Sequence, residues 1–295
     1  MSMRLQLAQT TLDLLRSDEK VVVILGDVGT YGLRECFKEF PDRIYNIGIL
    51  EQAMIGVAAG MSAAGLIPIV HSFAPFLTER CLEQIKLDFG YQELGGTFIS
   101  VGGSYDYTKF GSTHHCPADV KVMTSIPNLE VVVPGTGEEF DSLMKATYNN
   151  NRPTYIRLSE HGNAASQPVE PGLMTVVQQG NLATVVAVGP MLEPVLQAAA
   201  GLDVTIVYYT TVSPFDGSQL SKFKSSSKIL VCEPYYRGAL TTDITDAMWP
   251  RPALVKNVGM PRQFVEHYGS KAQLDDFFGL NAEALRKELE SLIAV

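Results

Sequence analysis

The segment Asn46-Ile47-Gly48-Ile49-Leu50-Glu51-Gln52 sets one carboxylate among apolar residues at the start of a helical pattern. Two readings are open. Helix N-termini favour negative charge by about 0.3–1 kcal/mol at exposed sites, so Glu51 can be an ordinary first-turn acid. The alternative rests on the small residues that follow. Gly56, Ala59, Gly60 and Ala63 share one face of a helix, and a face this small lets another backbone come close. It points to a tightly packed helix, with Glu51 at the mouth of the contact. A buried lone carboxylate is costly unless it is hydrogen-bonded. An aromatic nitrogen heterocycle would serve as its partner.

Four other groups carry candidate chemistry. In His71-Ser72-Phe73-Ala74-Pro75-Phe76, the two phenylalanines are either core or a platform for a flat ring. In Gly111-Ser112-Thr113-His114-His115, the histidines are either surface and capping residues or proton-transfer groups, a task that suits a side chain ordinarily titrating near neutrality. Asp27, in Gly26-Asp27-Val28-Gly29, is a turn residue or a site acid. Arg157 can grip an anionic substrate through a bidentate pair, or serve a structural ion pair.

These groups need a scaffold, and the hydrophobic pattern supplies one. Apolar runs at 21–25, 45–47, 68–71, 97–101, 129–133 and 154–158 predict strands. Helical patterns fall at 1–17, 54–64, 79–87, 117–125 and 137–149. A polar segment with two prolines, residues 163–172, reads as a linker. The alternation then restarts, with strands expected at 183–188, 204–208, 228–232 and 253–258 and helices at 193–200, 239–248 and 282–293. The pattern predicts an α/β chain of two domains, 1–165 and 173–295.

Composition narrows the function classes. The chain has 295 residues, 46% hydrophobic and 19% charged, with a net charge of -9. That is a globular balance. The absence of a long basic run argues against nucleic acid and anionic membranes as partners. Apolar stretches are interrupted well short of the roughly 20 residues that a membrane span requires. The N-terminal pattern lacks a signal peptide's apolar core and cleavage site. Cys36, Cys81, Cys116 and Cys232 show no CxxC spacing, so free thiols in a reducing cytoplasm are expected, and a zinc site is not.

The stretch Gly48-Ile-Leu-Glu51-Gln-x-x-x-x-Gly56 resembles the glutamate motif of the transketolase pyrimidine-binding domain. The rest of the chain resembles the transketolase C-terminal domain, including Tyr268-Gly-Ser-x5-Asp-Asp-Phe-Phe-Gly-Leu280. The resemblance implies a thiamine-diphosphate pyrimidine-binding fold followed by a transketolase C-terminal-like domain. In that family the carboxyl group hydrogen-bonds the cofactor's aminopyrimidine and so activates it. By the same match Phe73 and Phe76 would stack on that ring, and Asp27 would lie near the cofactor. His114 would face the substrate as a proton shuttle or hydrogen-bond donor, with His71, His115 and Arg157 as further substrate contacts.

The departures are also informative. The chain is about half a full transketolase and lacks the Gly-Asp-Gly motif and following asparagine that hold metal and diphosphate. A separate N-terminal subunit is therefore expected to supply them, with Mg2+ or Ca2+, in a heterotetramer with two of each chain. Phe110 stands where the family carries an aspartate that reads a sugar hydroxyl, Glu160 where it carries an arginine, and Glu79 where it often carries a third aromatic. The implied reaction is transfer of a two-carbon ketol unit from a ketose or ketose phosphate to an aldehyde or aldose. Three alternatives stay open: the beta subunit of a 2-oxo acid dehydrogenase, a deoxyxylulose-phosphate-synthase-like half, and a degenerate regulatory or scaffold subunit.

Overall fold

The run Val21–Leu25 (β1) is built from valine, isoleucine and leucine, and all five residues are buried. A strand buried on both faces belongs inside a parallel sheet. The computed structural model, which describes residues 1–295, puts it there. The first half of the chain runs α1 (Met3–Ser17), β1, α2 (Arg34–Glu39), β2 (Ile44–Asn46), α3 (Glu51–Ala63) and β3 (Ile67–Phe73). Next come α4 (Ala74–Thr78), α5 (Leu82–Gln84), a π-helical turn at Ile85–Tyr91, β4 (Gly96–Val101) and α6 (Asp119–Met123). The half closes with β5 (Glu130–Val132), α7 (Gly137–Thr147) and β6 (Pro153–Arg157). These strands lie in the order β5-β6-β4-β3-β1-β2 and pair in parallel.

The strand order reverses around β1, which pairs with β2 on one side and β3 on the other. In open α/β sheets, ligands bind at such a reversal, outside the carboxyl ends of the strands. The residues at those ends are Gly26 and Asp27 after β1 and His71–Phe73 closing β3.

The second half contains β7 (Met174–Gln178), β8 (Thr184–Val188), α8 (Leu192–Ala199), β9 (Thr205–Tyr209) and β10 (Thr211–Ser213). It continues with β11 (Lys228–Tyr236), α9 (Thr241–Met248), β12 (Leu254–Met260), α10 (Lys271–Phe278) and α11 (Ala282–Ala294). Its sheet has the order β12-β11-β8-β9-β7, parallel except for β7 against β9. Helix α11 buries Leu285, Leu289 and Leu292, residues that recur on one helical face.

The two halves are stitched together. Strand β10 leaves the second half and pairs antiparallel with β5, matching Ser213 to Val131. The expected linker is clamped rather than free. The Asn163 side-chain amide donates to the Gly189 carbonyl at 3.1 Å, and its oxygen accepts from the Glu193 N–H at 3.0 Å.

The helix expected at 79–87 is differently built. Pro75, at the first helical positions where its missing N–H costs nothing, starts α4 at Ala74. The chain then bends at residues 79–81 before α5. Helix α10 was not anticipated, although its signals are present: a Ser270/Gln273 capping box and Gly279 in the left-handed region.

Candidate active site

Glu51 is the first residue of α3, and no side chain caps that helix. Gly48, with φ 78°, turns the chain into it. Gly26 packs beside the side chain, where a Cβ would lie 3.4 Å from Glu51 Cγ. The result is a carboxylate pressed between the end of β1 and the helix start, 2% exposed. Its Oε2 accepts from Arg80 Nη1 at 2.6 Å. Its Oε1 is buried with no partner. Leaving a buried acceptor unsatisfied costs about 1–3 kcal/mol, more for a charged group. The residue is thus not a solvated first-turn acid, and it has room for one more donor.

An aromatic cluster stands beside it. Phe73 ends β3 and Phe76 lies in α4, and their rings meet edge to face at 5.7 Å. His114 packs against both, at 5.5 Å from Phe73 and 5.3 Å from Phe76. Phe110 approaches His114 at 4.8 Å, and Tyr107 reaches Phe73 at 5.0 Å. The structure therefore brings Phe73, Phe76 and His114 together. Glu51 joins them through Arg80, whose guanidinium lies 4.2 Å over the Phe76 ring. Glu79 is exposed and adds nothing to the aromatic face.

Hydrogen bonds constrain the tautomers of the three histidines. His71 Nδ1 lies 2.9 Å from the Ile99 carbonyl. A carbonyl only accepts, so Nδ1 holds the proton and Nε2 the lone pair. That Nε2 is buried without a partner, and burial lowers the His71 pKa to about 4. His115 is arranged the opposite way. Its Nε2 donates to the Tyr107 carbonyl at 3.2 Å, its Nδ1 is buried and unpartnered, and burial lowers its pKa. For His114, Thr113 decides. The Thr113 hydroxyl donates to the Phe110 carbonyl at 3.2 Å, so its oxygen accepts from His114 Nδ1 at 3.0 Å. The His114 lone pair then falls on Nε2.

Asp27 and Arg157 stand apart from this cluster. Asp27 is exposed in a left-handed turn, φ 69°. Its N–H donates to the Asn46 side chain at 2.9 Å. Arg157 is 1% exposed. It donates to Asp119 at 2.7 Å, to Ser104 at 2.6 Å and to Ser159 at 3.3 Å. It borders a cavity of about 280 Å³ between the two halves, which none of Glu51, Phe73, Phe76 and His114 lines. Of the two readings open for Arg157, this geometry favours the structural ion pair.

Sequence reasoning missed Arg80 and Tyr107. Arg80 follows Phe76 by four residues, a spacing that sets a cation over a ring on a continuous helix. The expected small-residue face is split. Gly56, Gly60 and Ala63 are exposed, whereas Ala59 turns to the core. Just before Glu51, Ile49 and Leu50 are 68% and 61% exposed. No set of three or more His, Cys, Asp or Glu is placed to hold a metal ion.

Comparison with known proteins places this arrangement. Residues 1–163 match "Transketolase, pyrimidine binding domain" and residues 172–285 match "Transketolase, C-terminal domain". An uncharacterized 33.6 kDa protein in the fasciation locus of Rhodococcoides fascians is 35% identical over 95% of this chain and 91% of its own length. An apulose-4-phosphate transketolase subunit from Phocaeicola vulgatus is 26% identical over 96% of this chain and 95% of its own. A solved structure described as "Split gene transketolase, inactive beta4 tetramer" superposes with a TM-score of 0.86 at 24% identity, covering 100% of this chain and 98% of that one. The first family match alone spans more than half of the residues, and the chain belongs to the transketolase family.

Proposed function

We propose that this chain is the C-terminal subunit of a split, thiamine-diphosphate-dependent transketolase-like enzyme. It works with an N-terminal subunit to move a two-carbon ketol unit from a ketose or ketose phosphate to an aldehyde or aldose. One observation carries the reading: Glu51 is buried, one of its oxygens lacks a partner, and a wall of flat side chains stands beside it. That is a seat for a planar nitrogen heterocycle. Thiamine diphosphate would supply the carbanion chemistry that protein side chains lack.

The chain's own residues have separable tasks. Glu51 Oε1 accepts a hydrogen bond from the pyrimidine, in a dry site where such a bond is strong. Phe73 and Phe76 hold the ring's position, and Asp27 stiffens the turn that abuts Glu51. His114 holds a lone pair at Nε2 among Phe73, Phe76 and Phe110, ready to take or return a substrate hydroxyl proton. His71 and His115, kept neutral by burial, offer acceptors to further hydroxyls.

The metal ion, magnesium or calcium, and the diphosphate are assigned to the partner, in an assembly of two chains of each kind. Support for a partner comes from the exposed Ile49, Leu50, Gly56 and Gly60 around the buried carboxylate. The Phocaeicola relative, itself named as one subunit of its enzyme, points the same way. The four buried free cysteines suit a reducing cytoplasm, and no helix is long and apolar enough to cross a membrane.

The test is reconstitution. The chain is co-purified with the product of a neighbouring reading frame of roughly 270–300 residues, one domain pair in size. The pair is assayed with thiamine diphosphate for ketol transfer between sugars. Ketol transfer in the wild-type pair and its loss in Glu51→Gln support the reading. Pyruvate decarboxylation with transfer to lipoamide, without ketol transfer, overturns it in favour of a 2-oxo acid dehydrogenase.

A further inference from the structure

Arg80 lies in the bend between α4 and α5, and its guanidinium meets both halves of the proposed pyrimidine seat. It donates to Glu51 Oε2 at 2.6 Å and lies over Phe76 at 4.2 Å from the ring centre. A guanidinium is flat, rich in N–H donors and prone to stack on aromatic faces. An aminopyrimidine is also flat, and it would meet the same two residues by stacking on Phe76 and hydrogen-bonding Glu51. The pairing is also lopsided: the Glu51 side chain is 1% exposed, the Arg80 side chain 41%. One partner is fixed in the protein, while the other has an open path to solvent. The backbone of the bend is held separately, because the Gln52 side chain donates to the Arg80 carbonyl at 3.2 Å. Arg80 can therefore leave by side-chain rotation alone.

We propose that Arg80 is a tethered competitor of the cofactor's pyrimidine. Its guanidinium holds Glu51 Oε2 and occupies the Phe76 face while the seat is free, and the pyrimidine, stacking on that face and bonding Oε1, displaces it into solvent. This rests on the reading of Glu51 and Phe76 as the pyrimidine seat and adds what fills that seat beforehand. The physical need is plain. A buried carboxylate at a helix start is destabilising when nothing pairs with it, and a subunit made apart from its cofactor must spend time in that state. Arg80 is partly exposed, so water can take over its N–H donors when the pyrimidine displaces it. Its cost appears as a lower apparent affinity, since only the fraction of chains with Arg80 undocked can bind.

The test uses the full chain with its co-purified partner and thiamine diphosphate as the titrant, followed by calorimetry or tyrosine fluorescence. Arg80→Met is expected to bind thiamine diphosphate about three- to tenfold more tightly than wild type, the gain set by the undocked fraction. Arg80→Lys keeps the charge but not the flat fork, and should tighten binding by a smaller factor. Without cofactor, Arg80→Met should lower the thermal midpoint of the isolated chain. Glu51→Gln in the same chain should restore most of that loss. Unchanged or weaker binding in both arginine variants overturns the proposal, because it makes Arg80 a bystander or a cofactor-holding residue. The two readings fail separately. If Glu51→Gln abolishes turnover while neither arginine variant gains affinity, only the competitor role is lost. Wild-type turnover and affinity in Glu51→Gln would sink the seat itself.

Discussion

Glu51 in the first half and Glu233 in the second are both buried, and the two are treated differently. Glu233, on β11, is fully buried, and both of its oxygens are satisfied by its own downstream loop. One accepts from the Gly238 N–H and the other from the Leu240 N–H at 3.0 Å. Glu51 is nearly as buried, yet it has one oxygen on the half-exposed side chain of Arg80 and one on nothing. A structural acid closes its own circuit with backbone donors that cannot leave. A functional acid is left open, with a removable partner. Burial alone does not separate the two; the permanence of the hydrogen-bond partners does.

The sharpest way to break the comparison is to make the same change in both. Glu51→Gln in the two-chain enzyme should lower kcat by about three orders of magnitude, within the range for a lost proton-transfer contact. Glu233→Gln should leave kcat within about twofold of wild type, because nothing in its circuit reaches the site. Steady-state kinetics with circular dichroism as a folding control checks both. His114→Ala should cost about a hundredfold in kcat. Its pH–rate profile should lose one limb, which a purely packing role for this residue would leave intact.

The second contrast is in stability against pH. Burial raises the Glu233 pKa to about 7, above its value in an unfolded chain. The folded state then holds the extra proton between about 4.5 and 7, so this group's contribution falls as pH rises through that window. His71 runs the other way. With its pKa lowered to about 4, the unfolded chain takes up the proton first, and stability rises with pH from about 4 to 6.5. Urea unfolding at pH 5 and pH 8 should show Glu233→Gln gaining on wild type at the higher pH, by on the order of 2 kcal/mol. An equal difference at both values would remove Glu233 from the account. The smallest effect is expected at Phe76→Ala: thiamine diphosphate binding weakened by about tenfold or less, the worth of one aromatic contact. Calorimetric titration of the complex measures it.

Much of this was legible before folding because it is local. The glutamate segment, the small residues after it and the threonine-histidine pair each lie within a dozen residues, and the apolar runs announced nearly every long strand. What was not legible depends on distance. Arg157 pairs with an aspartate 38 positions earlier, so its anion-binding and structural readings were equal on sequence. Strand β10 is three residues long, too short for any alternation, and its partner β5 lies in the other half. Arg80 reaches Glu51 across 29 residues, from the bend at residues 79–81 that interrupts the helical pattern. The tautomers of His71, His114 and His115 follow only from which carbonyls and hydroxyls the fold places beside them.

The most direct measurement is a structure of the two-chain complex with thiamine diphosphate bound. The account predicts a Glu51 carboxylate oxygen at hydrogen-bonding distance, about 2.6–2.9 Å, from a pyrimidine ring nitrogen, with the ring against Phe73 or Phe76 and Arg80 swung outward. A pyrimidine seated elsewhere, with Glu51 touching only protein, would contradict it.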